Sequence, residues 1–266
     1  MSAPKITVAT ITRNNLPELR ATVESVLAQD ANYFELIIID GASNDGTVDF
    51  LKGLSSMHVR WISEPDRGIA DAFNKAHLLA NGTWIIFMNA GDTFVSADTL
   101  KNSWDLFPET AQREDVVAYG DYLATDDSGE YFHETNHLLL NQTNSINHQS
   151  AFVGRNIYQA MNYDLRLILG MDYDFWLRCS SAGVPFVKLP LTVARFRLGG
   201  RSSGLDFRVH NSLMRYFLRA LNSQKILGLA ELWQMVKTGL SVAMGVSLRR
   251  CVSPSKRKSL KRLLRR

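Results

Sequence analysis

Four short clusters of polar and acidic residues stand out in the first third of the chain, because each follows an apolar run. The clusters are Thr10–Asn14, Asp40–Asp45, Glu64–Arg67 and Asn89–Asp92. Their hydroxyl, amide and carboxylate oxygens are groups that bind divalent cations, hold sugars and bases by hydrogen bonds, or accept a proton. A single Asp at such a position is most often a helix cap, whereas four clusters in series favour a shared binding site.

The apolar runs before these clusters alternate with segments of helical periodicity. The predicted strands are Ile6–Ile11, Phe34–Ile39, Val59–Ile62 and Trp84–Met88, and the predicted helices are Leu16–Leu27, Thr47–Leu54 and Ile69–Ala80. This alternation is typical of the α/β class, with a Rossmann-like, mostly parallel sheet flanked by helices. Because ligands bind where the strands of such sheets end, the four clusters should meet at one edge.

The later part of the chain predicts more strands, then helices. The predicted strands are Val116–Gly120, Tyr122–Thr125 and Glu130–His133, the last two forming a hairpin, followed by Phe186–Leu189 and Val193–Leu198. Between them, Glu134–Asn147 is polar and is expected to be a mobile cover over the site. Residues 206–248 predict a helical extension, whose Glu231 and Lys237 argue against a membrane-spanning helix.

Composition narrows the function. The chain has 266 residues, of which 45% are hydrophobic and 21% charged, as expected of a globular protein. Its two cysteines are far apart and predict neither a disulfide framework nor a zinc site. Met1–Ile11 lacks the basic and apolar pattern of a secretory signal, so a cytoplasmic location is expected.

The net charge of +4 is unevenly distributed. From Arg249 to the end there are nine Lys or Arg and no acidic residues, which leaves 21 basic against 26 acidic residues, a net charge of −5, in the rest. Such a body does not predict a nucleic-acid-binding face. The amphipathic ending, Lys256–Arg266, predicts reversible contact with an anionic membrane surface, and a solubilising disordered tail is the alternative.

Phosphate-binding loops of the standard kinds are missing from the sequence. The segment GASNDG has too few glycines, and no Gly-Lys-Ser/Thr occurs. If the ligand is a nucleotide, its phosphates therefore need a metal ion between them and the acidic edge, because carboxylates alone would repel them.

Seven motifs in order resemble the family 2 inverting nucleotide-sugar glycosyltransferases, and within them the enzymes that build bacterial exopolysaccharides such as colanic acid and O-antigen. The motifs are ITVATITRN, IIIDGASNDGT, SEPDRGIADAFNKA, FMNAGDTF, HQSAFV, MDYDFWLR and FRLGGRSS. The resemblance implies a GT-A fold over residues 1–205, with a nucleotide-sugar-binding half to about 120 and an acceptor half over 121–205. The extension over 206–248 and the tail over 249–266 follow this domain.

The resemblance places a UDP- or GDP-sugar donor at the first strand ends. The implied donor-site residues are Thr10, Asp40, Asp66, Arg67, Asp71, Asn74 and Asn89. Thr10 and Asp40 would hold the nucleoside, with Asp40 accepting a hydrogen bond from the base edge, and Arg67 would neutralise phosphate. In the alternative interpretation, the acidic residues of this loop are solvated charges and Asn74 is an exposed helix residue.

The fourth strand end departs from the family's Asp-x-Asp metal motif. It reads Asn-Ala-Gly-Asp, so that Asp92 is the one carboxylate and Asn89 offers only a neutral oxygen. The resemblance still implies Mn²⁺ or Mg²⁺ bound between Asp92 and the diphosphate, since such ions take most of their ligands from water and phosphates. A metal-poor site assisted by Arg or His is the alternative.

The resemblance also assigns the reacting groups. Asp172 matches the position of the general base that removes the acceptor hydroxyl's proton, whereas Asp174 points to another face of its helix and is predicted to be structural. His148, Gln149 and Arg201 are implied to contact acceptor or phosphate, and a structural His148 is the alternative.

These assignments predict an enzyme of bacterial surface polysaccharide biosynthesis. It would transfer a sugar to a saccharide acceptor linked to polyprenyl diphosphate, at the inner face of the cell membrane. The altered metal motif leaves one competing function, a non-catalytic nucleotide-sugar-binding or scaffold subunit. A nucleotidyltransferase is disfavoured, because no Lys-containing, Gly-rich loop follows the first strand.

Overall fold

The computed structural model describes residues 4–107, 114–167 and 170–199. The described residues up to Leu198 form one compact unit. Arg201, the extension predicted over 206–248 and the basic tail over 249–266 lie outside the described residues. Within the described ranges, no helix combines the length and the apolar character needed to cross a membrane.

The first part of the chain alternates strands and helices as the sequence predicts. In order these are β1 (Ile6–Thr12), α1 (Leu16–Leu27), β2 (Phe34–Asp40), α2 (Thr47–Lys52), β3 (Val59–Ser63), α3 (Ile69–Leu79) and β4 (Trp84–Phe87). β1, β2 and β3 pair in parallel, and β4 pairs in parallel with β1. The α/β class is thereby confirmed.

The second part adds strands of mixed direction. In order these are β5 (Thr93–Phe94), α4 (Thr99–Leu106), β6 (Val117–Asp126), β7 (Gly129–His133), β8 (Ala151–Gly154), α5 (Arg155–Ala160), α6 (Met171–Ser181) and β9 (Phe186–Arg197). Short 3₁₀ turns lie at His137–Leu139 and His148–Ser150. The strand order is β3-β2-β1-β4-β8-β6-β9-β5, with β7 paired to β6.

Two predicted breaks in the strands are absent from the structure. β6 runs through Gly120 and β9 through Pro190, where the sequence predicted separate strands. Their parallel pairing shifts register on either side of Asp121. A Cβ atom on Gly120 would lie 2.5 Å from the carbonyl oxygen of Leu191, so glycine lets the two strands approach at this irregularity.

The core lies on both faces of the central strands, which are buried along their whole lengths except at the half-buried Ile11. Alternate side chains, among them Val8, Leu36 and Ile86, belong to one cluster with Leu19 and Val23 of α1. On the opposite face Phe87 meets Phe73 of α3, with ring centroids 4.6 Å apart. Burial on both faces explains why these strands are continuous apolar runs.

The strand ends meet at a common edge, which positions the site. In the parallel register Thr12 lies opposite Asp40, and Asp40 lies opposite Ser63. On the other side of β1, the backbone N–H of Ala90 donates to the carbonyl of Ile11 at 3.4 Å, which ties the fourth cluster to the first. The expected convergence of the four clusters is confirmed.

Candidate active site

Asp92, the predicted metal ligand, is buried in the turn after β4. Its Oδ1 accepts from the backbone N–H of Arg197 at 3.0 Å, and its Oδ2 accepts from Nε2 of Gln149 at 2.8 Å. Burial raises the pKa of Asp92 to about 7; its two hydrogen bonds lower the pKa and nearby Glu18 raises it. The carboxylate therefore connects β4, β9 and the 148–150 turn. Gln149, which was predicted to contact acceptor or phosphate, is observed to donate its hydrogen bond to Asp92.

Asn89 presents an unused acceptor in the same turn. Its Oδ1 is buried and has no hydrogen-bond partner among the described residues. Its backbone oxygen accepts from the hydroxyl of Thr22 at 3.1 Å and from the N–H of Asp92 at 2.9 Å, so the turn is held firmly. A buried acceptor without a donor is costly, which suits a position that a ligand completes.

Gly91 lies in the strand end that the resemblance compares with the Asp-x-Asp metal motif. Its φ of 104° lies in the left-handed region, which favours glycine. A Cβ atom there would also lie 3.0 Å from Oε2 of Glu18, whose other oxygen pairs with Arg197 at 3.1 Å. The local backbone and the neighbouring charge thus explain the departure from the motif.

Asp40, at the end of β2, is fully buried and well bonded. Its carboxylate accepts from the N–H of Ser43 at 3.0 Å, from the hydroxyl of Ser43, and from the hydroxyl of Ser63 at 2.6 Å. Thr10 is also fully buried, and its hydroxyl donates to the carbonyl of Met88 at 2.8 Å. Both side chains support the loops around the site, and their contacts with a nucleoside stay predictions.

Thr12 is a residue that sequence reasoning missed. It is opposite Asp40 in the sheet, and its hydroxyl is buried without a partner in the described part of the chain. The sequence does contain an indication of Thr12: it comes two residues after Thr10, and residues two apart in a strand point to the same face.

Lys75, also missed, organises the charged junction between β3 and α3. Its ammonium lies 2.8 Å from Glu64 and 2.8 Å from Asp66, and 3.7 Å from Asp71. Burial lowers the pKa of Lys75, but hydrogen bonds to Asp66 and Glu64 and their charges outweigh it, so the pKa is raised. The acidic residues of this loop are therefore paired charges and not merely solvated ones.

Arg67 and Asp71 close the start of α3. Asp71 accepts from the backbone N–H and from the guanidinium of Arg67, both at 3.0 Å. The backbone hydrogen bond is the main cause that lowers the pKa of Asp71, against the opposing effect of burial. The side chain of Arg67 is 75% exposed, so it is accessible to an anionic ligand.

Asn74 has a different contact from the one implied by the resemblance. Its Nδ2 donates to the carbonyl of Tyr163 at 3.0 Å, and its Oδ1 accepts from the N–H of Tyr163 at 2.9 Å. Both polar atoms of the amide are therefore engaged by one backbone residue. The observed role of Asn74 is to fix the segment that carries Tyr163.

His148 lies in an aromatic cluster and not on an open surface. Its Nε2 is 2.7 Å from the hydroxyl of Tyr163, and its ring centroid is 4.8 Å from those of Phe73 and Phe87. Burial lowers the pKa of His148 to about 4, although the charge of Asp172 raises it. A neutral, buried imidazole gives no positive charge to a phosphate, so the alternative of a structural His148 fits the observed geometry better.

Asp172, the predicted base, is partly exposed in the first turn of α6. Its Oδ2 accepts from Nδ2 of Asn144 at 3.0 Å. Amide groups at a helix N-terminus favour a negative charge there. Asp174 pairs instead with Arg178 at 2.8 Å, which confirms its structural role.

The 148–150 turn has one hydrogen bond to Asp92 and lies within reach of the charge of Asp172. Gln149 donates to Asp92 at 2.8 Å. The charge of Asp172 raises the pKa of the adjacent His148, against the larger opposing effect of burial. No group of three or more His, Cys, Asp or Glu side chains suited to a metal occurs within the described ranges.

Comparison with known families decides the class of protein. The profile of Glycosyl transferase family 2 matches residues 7–171, well over half of the chain. The chain is a family 2 glycosyltransferase. A "PGL/p-HBAD biosynthesis glycosyltransferase" of Mycobacterium bovis is 32% identical to it over 188 residues, which cover 68% of this chain and 72% of the relative.

Solved structures show that this glycosyltransferase has the GT-A fold. The mannosyltransferase PcManGT of Pyrobaculum calidifontis, solved with GDP-Man and Mn²⁺, has a TM-score of 0.64 at 16% identity, over 98% of this chain and 79% of its own. TarS of S. aureus, solved with UDP-GlcNAc, has a TM-score of 0.63 at 15% identity, over 89% of this chain and 73% of the solved fragment. Both likenesses concern the fold.

The family match covers the predicted donor-site residues and ends at Met171. Asp172 comes directly after it, at the start of α6. Asn144, its hydrogen-bond donor, lies 28 residues away in the chain. A pairing over that distance leaves no local pattern, which is why sequence reasoning missed Asn144.

Proposed function

We propose that this glycosyltransferase inverts the anomeric centre as it moves a sugar from a UDP- or GDP-sugar to a saccharide acceptor. The observation that carries the proposal is the contrast among three predicted carboxylates. Asp40 and Asp92 are buried and bonded within the protein, whereas Asp172 is partly exposed at a helix N-terminus. Of the three, Asp172 is the carboxylate with exposed surface that an acceptor hydroxyl can reach.

In the proposed reaction, the acceptor's hydroxyl oxygen attacks the anomeric carbon from the face opposite the diphosphate. Its proton passes to the carboxylate of Asp172 as the new glycosidic bond forms. The bond between the anomeric carbon and the phosphate oxygen breaks, and the nucleoside diphosphate departs with that electron pair. One carboxylate suffices for this single displacement.

A divalent ion fits the residues of the turn after β4. The unused Oδ1 of Asn89 and the carboxylate of Asp92 form a small oxygen-only donor set, which suits Mn²⁺ or Mg²⁺ when a diphosphate completes the coordination. When bound, the ion would offset the charge of the departing diphosphate. The Mn²⁺ reported with PcManGT supports this assignment.

Two side chains of this protein and two solved structures support a UDP- or GDP-sugar as the donor. The exposed guanidinium of Arg67 suits a phosphate, and the unpartnered hydroxyl of Thr12 suits a nucleoside. The donors named for the two solved structures are GDP-Man and UDP-GlcNAc, which supports testing both nucleotide classes.

The proposal also covers the acceptor that receives the sugar and the place in the cell where the protein acts. A saccharide on polyprenyl diphosphate, in the assembly of a bacterial surface polysaccharide, would hold the reaction at the cytoplasmic face of the membrane. The nine basic residues from Arg249 onwards support attachment to anionic lipid. Sedimentation with anionic and neutral vesicles tests it: the full chain should pellet only with anionic vesicles, and a chain ending at residue 248 with neither. Equal pelleting of both chains would rule out the tail as the membrane anchor.

The catalytic proposal is tested by Asp172→Asn, with Asp174→Asn on the same helix as the control. A thermal-shift screen of UDP- and GDP-sugars with Mn²⁺ first selects the donor. Asp172→Asn should lower release of nucleoside diphosphate by about 100-fold or more while calorimetry shows unchanged donor binding. Full turnover by Asp172→Asn would refute the assignment of Asp172 as the general base. Proton NMR of the product checks the anomeric configuration, and retention would refute inversion.

A further inference from the structure

The segment between β7 and the 148–150 turn is anchored, although the sequence predicted a mobile cover. The hydroxyl of Thr135 donates to the carbonyl of Gly120 at 2.7 Å, and that of Tyr173 on α6 donates to the carbonyl of Leu140 at 2.5 Å. Within the segment, the hydroxyl of Ser145 donates to the carbonyl of Asn136 at 2.6 Å. Leu140 is also buried. These contacts give residues near Ser145 a defined position beside α6.

Asn144 uses this position to contact the candidate base. Its Nδ2 donates to Oδ2 of Asp172 at 3.0 Å, which is the one hydrogen bond to the Asp172 side chain within the described ranges. The orientation of the amide follows from chemistry, because an ionised carboxylate only accepts hydrogen bonds and the amide nitrogen must face it. The other end, Oδ1, is buried and lacks a partner among the described residues.

The other described groups near Asp172 give its carboxylate no hydrogen bond. His148 and Tyr163, whose pKa values are affected by the charge of Asp172, are both buried. Burial favours the neutral form of each side chain. On α6 itself, Asp174 is paired with Arg178. Within the described ranges, the amide of Asn144 is thus the group that fixes the position of the Asp172 carboxylate.

We propose that Asn144 is a positioning residue for catalysis, which holds the carboxylate of Asp172 oriented toward the acceptor hydroxyl. The inference rests on the proposed role of Asp172 as the base. A hydrogen bond from an anchored amide restricts the carboxylate to the orientations that keep that bond. Its loss therefore lowers the fraction of molecules in which the carboxylate faces the proton that it must accept.

The division of the effect between kcat and KM separates this role from a structural one. Asn144→Ala should lower kcat by roughly 10- to 100-fold and leave KM for the donor close to that of the unaltered protein, because the donor-binding residues are intact. The isosteric variant Asn144→Asp keeps the size of the side chain but replaces the donating amide with a second carboxylate beside Asp172, so its kcat should fall at least as far.

Asn136 in the same segment provides the matched control. Its side chain accepts from the N–H of Leu138 at 3.0 Å and does not contact Asp172, so Asn136→Ala disturbs the segment alone. Its kcat should match that of the unaltered protein. An equal loss of kcat in Asn136→Ala would overturn the inference, because a general effect of the segment would then explain it.

The result also distinguishes the inference from the proposed function. If Asp172→Asn is inactive and both Asn144 variants keep the kcat of the unaltered protein, Asn144 has no positioning role while the base assignment stands. If Asp172→Asn retains turnover, the proposed function itself fails. Calorimetry of UDP or GDP with Mn²⁺ should give the same affinity for the Asn144 variants as for the unaltered protein, and weaker binding would argue for a donor-site role instead.

Discussion

The strand edge and the N-terminus of α6 carry the same side chain in opposite settings. At the strand edge, Asp40 has no exposed surface and accepts three hydrogen bonds from Ser43 and Ser63. At the start of α6, Asp172 is partly exposed and accepts one from Asn144. The first carboxylate is held within the protein, and the second keeps the exposed surface that the proposed base requires. Motif membership alone does not separate these roles, because the separation depends on partners distant in sequence.

Replacing Asp40 gives the largest expected difference between the two regions. Asp40→Ala leaves the N–H of Ser43 and two hydroxyls without their acceptor, so the free energy of unfolding should fall by about 4 kcal/mol. Asp172→Ala should change it by less than about 1 kcal/mol. Urea unfolding followed by circular dichroism measures both. Similar losses from the two variants would contradict the contrast.

His148 lies between the two regions and should make stability depend on pH. Its pKa falls from 6.5 to about 4 on folding because the ring is buried. The unfolded chain therefore binds the extra proton between these values, and about 3 kcal/mol of stability, fully present above pH 6.5, is lost as pH falls toward 4. Buried His77, whose pKa is also lowered, acts in the same direction.

The variant His148→Phe should remove most of this slope. Urea unfolding at pH 4.5 and pH 7 measures it, with the exposed His133, as His133→Phe, for comparison. An unchanged slope in His148→Phe would show that the imidazole is not held neutral in the fold.

Replacing Asn74 tests whether this residue contributes to the stability of the fold or to binding of the donor. Asn74→Ala leaves the N–H and the carbonyl of Tyr163 without partners, so the unfolding free energy should fall by about 2 kcal/mol. Calorimetry with UDP or GDP and Mn²⁺ should show little change in affinity. A loss of affinity without a loss of stability would support the predicted role of Asn74 in the donor site.

Lys75 should give the smallest effect of the four. Lys75→Met removes the cation shared by Glu64 and Asp66 and should cost about 1 kcal/mol, since the pairs are only partly shielded from water. The raised pKa of Lys75 means that this contribution is present below about pH 10.5 and is lost as pH rises beyond it. Lys75→Arg should retain most of it, and an equal loss would point to packing instead of charge.

The fold was largely accessible from the sequence because its signals are local. Continuous apolar runs and helical periodicity identified the first four strands and three helices. The exceptions are long-range: β6 and β9 are each continuous because they pair along an irregular register that involves Gly120 and Leu191, far apart in the chain. Sequence periodicity has no access to such a pairing.

The candidate site was accessible in position but not in detail. Helical spacing placed Asp174 on another face from Asp172, and the pairing of Asp174 with Arg178 bears out its structural role. The base role of Asp172 came from the resemblance and stays a prediction. The observed contacts of His148 and Asn74 could not be predicted, because burial beside Tyr163 and pairing with its backbone arise from tertiary packing. Lys75 could have been found from its spacing of four residues after Asp71 on the helix.

Gly91 has a consequence for engineering metal affinity in this enzyme. Gly91→Asp, which would restore the usual pattern, brings its side chain toward Oε2 of Glu18 in a backbone conformation unsuited to it. A single exchange should therefore weaken the protein without improving ion binding. The two positions have to be redesigned as a pair, with Glu18 replaced by a smaller neutral side chain and the turn rebuilt around the new ligand.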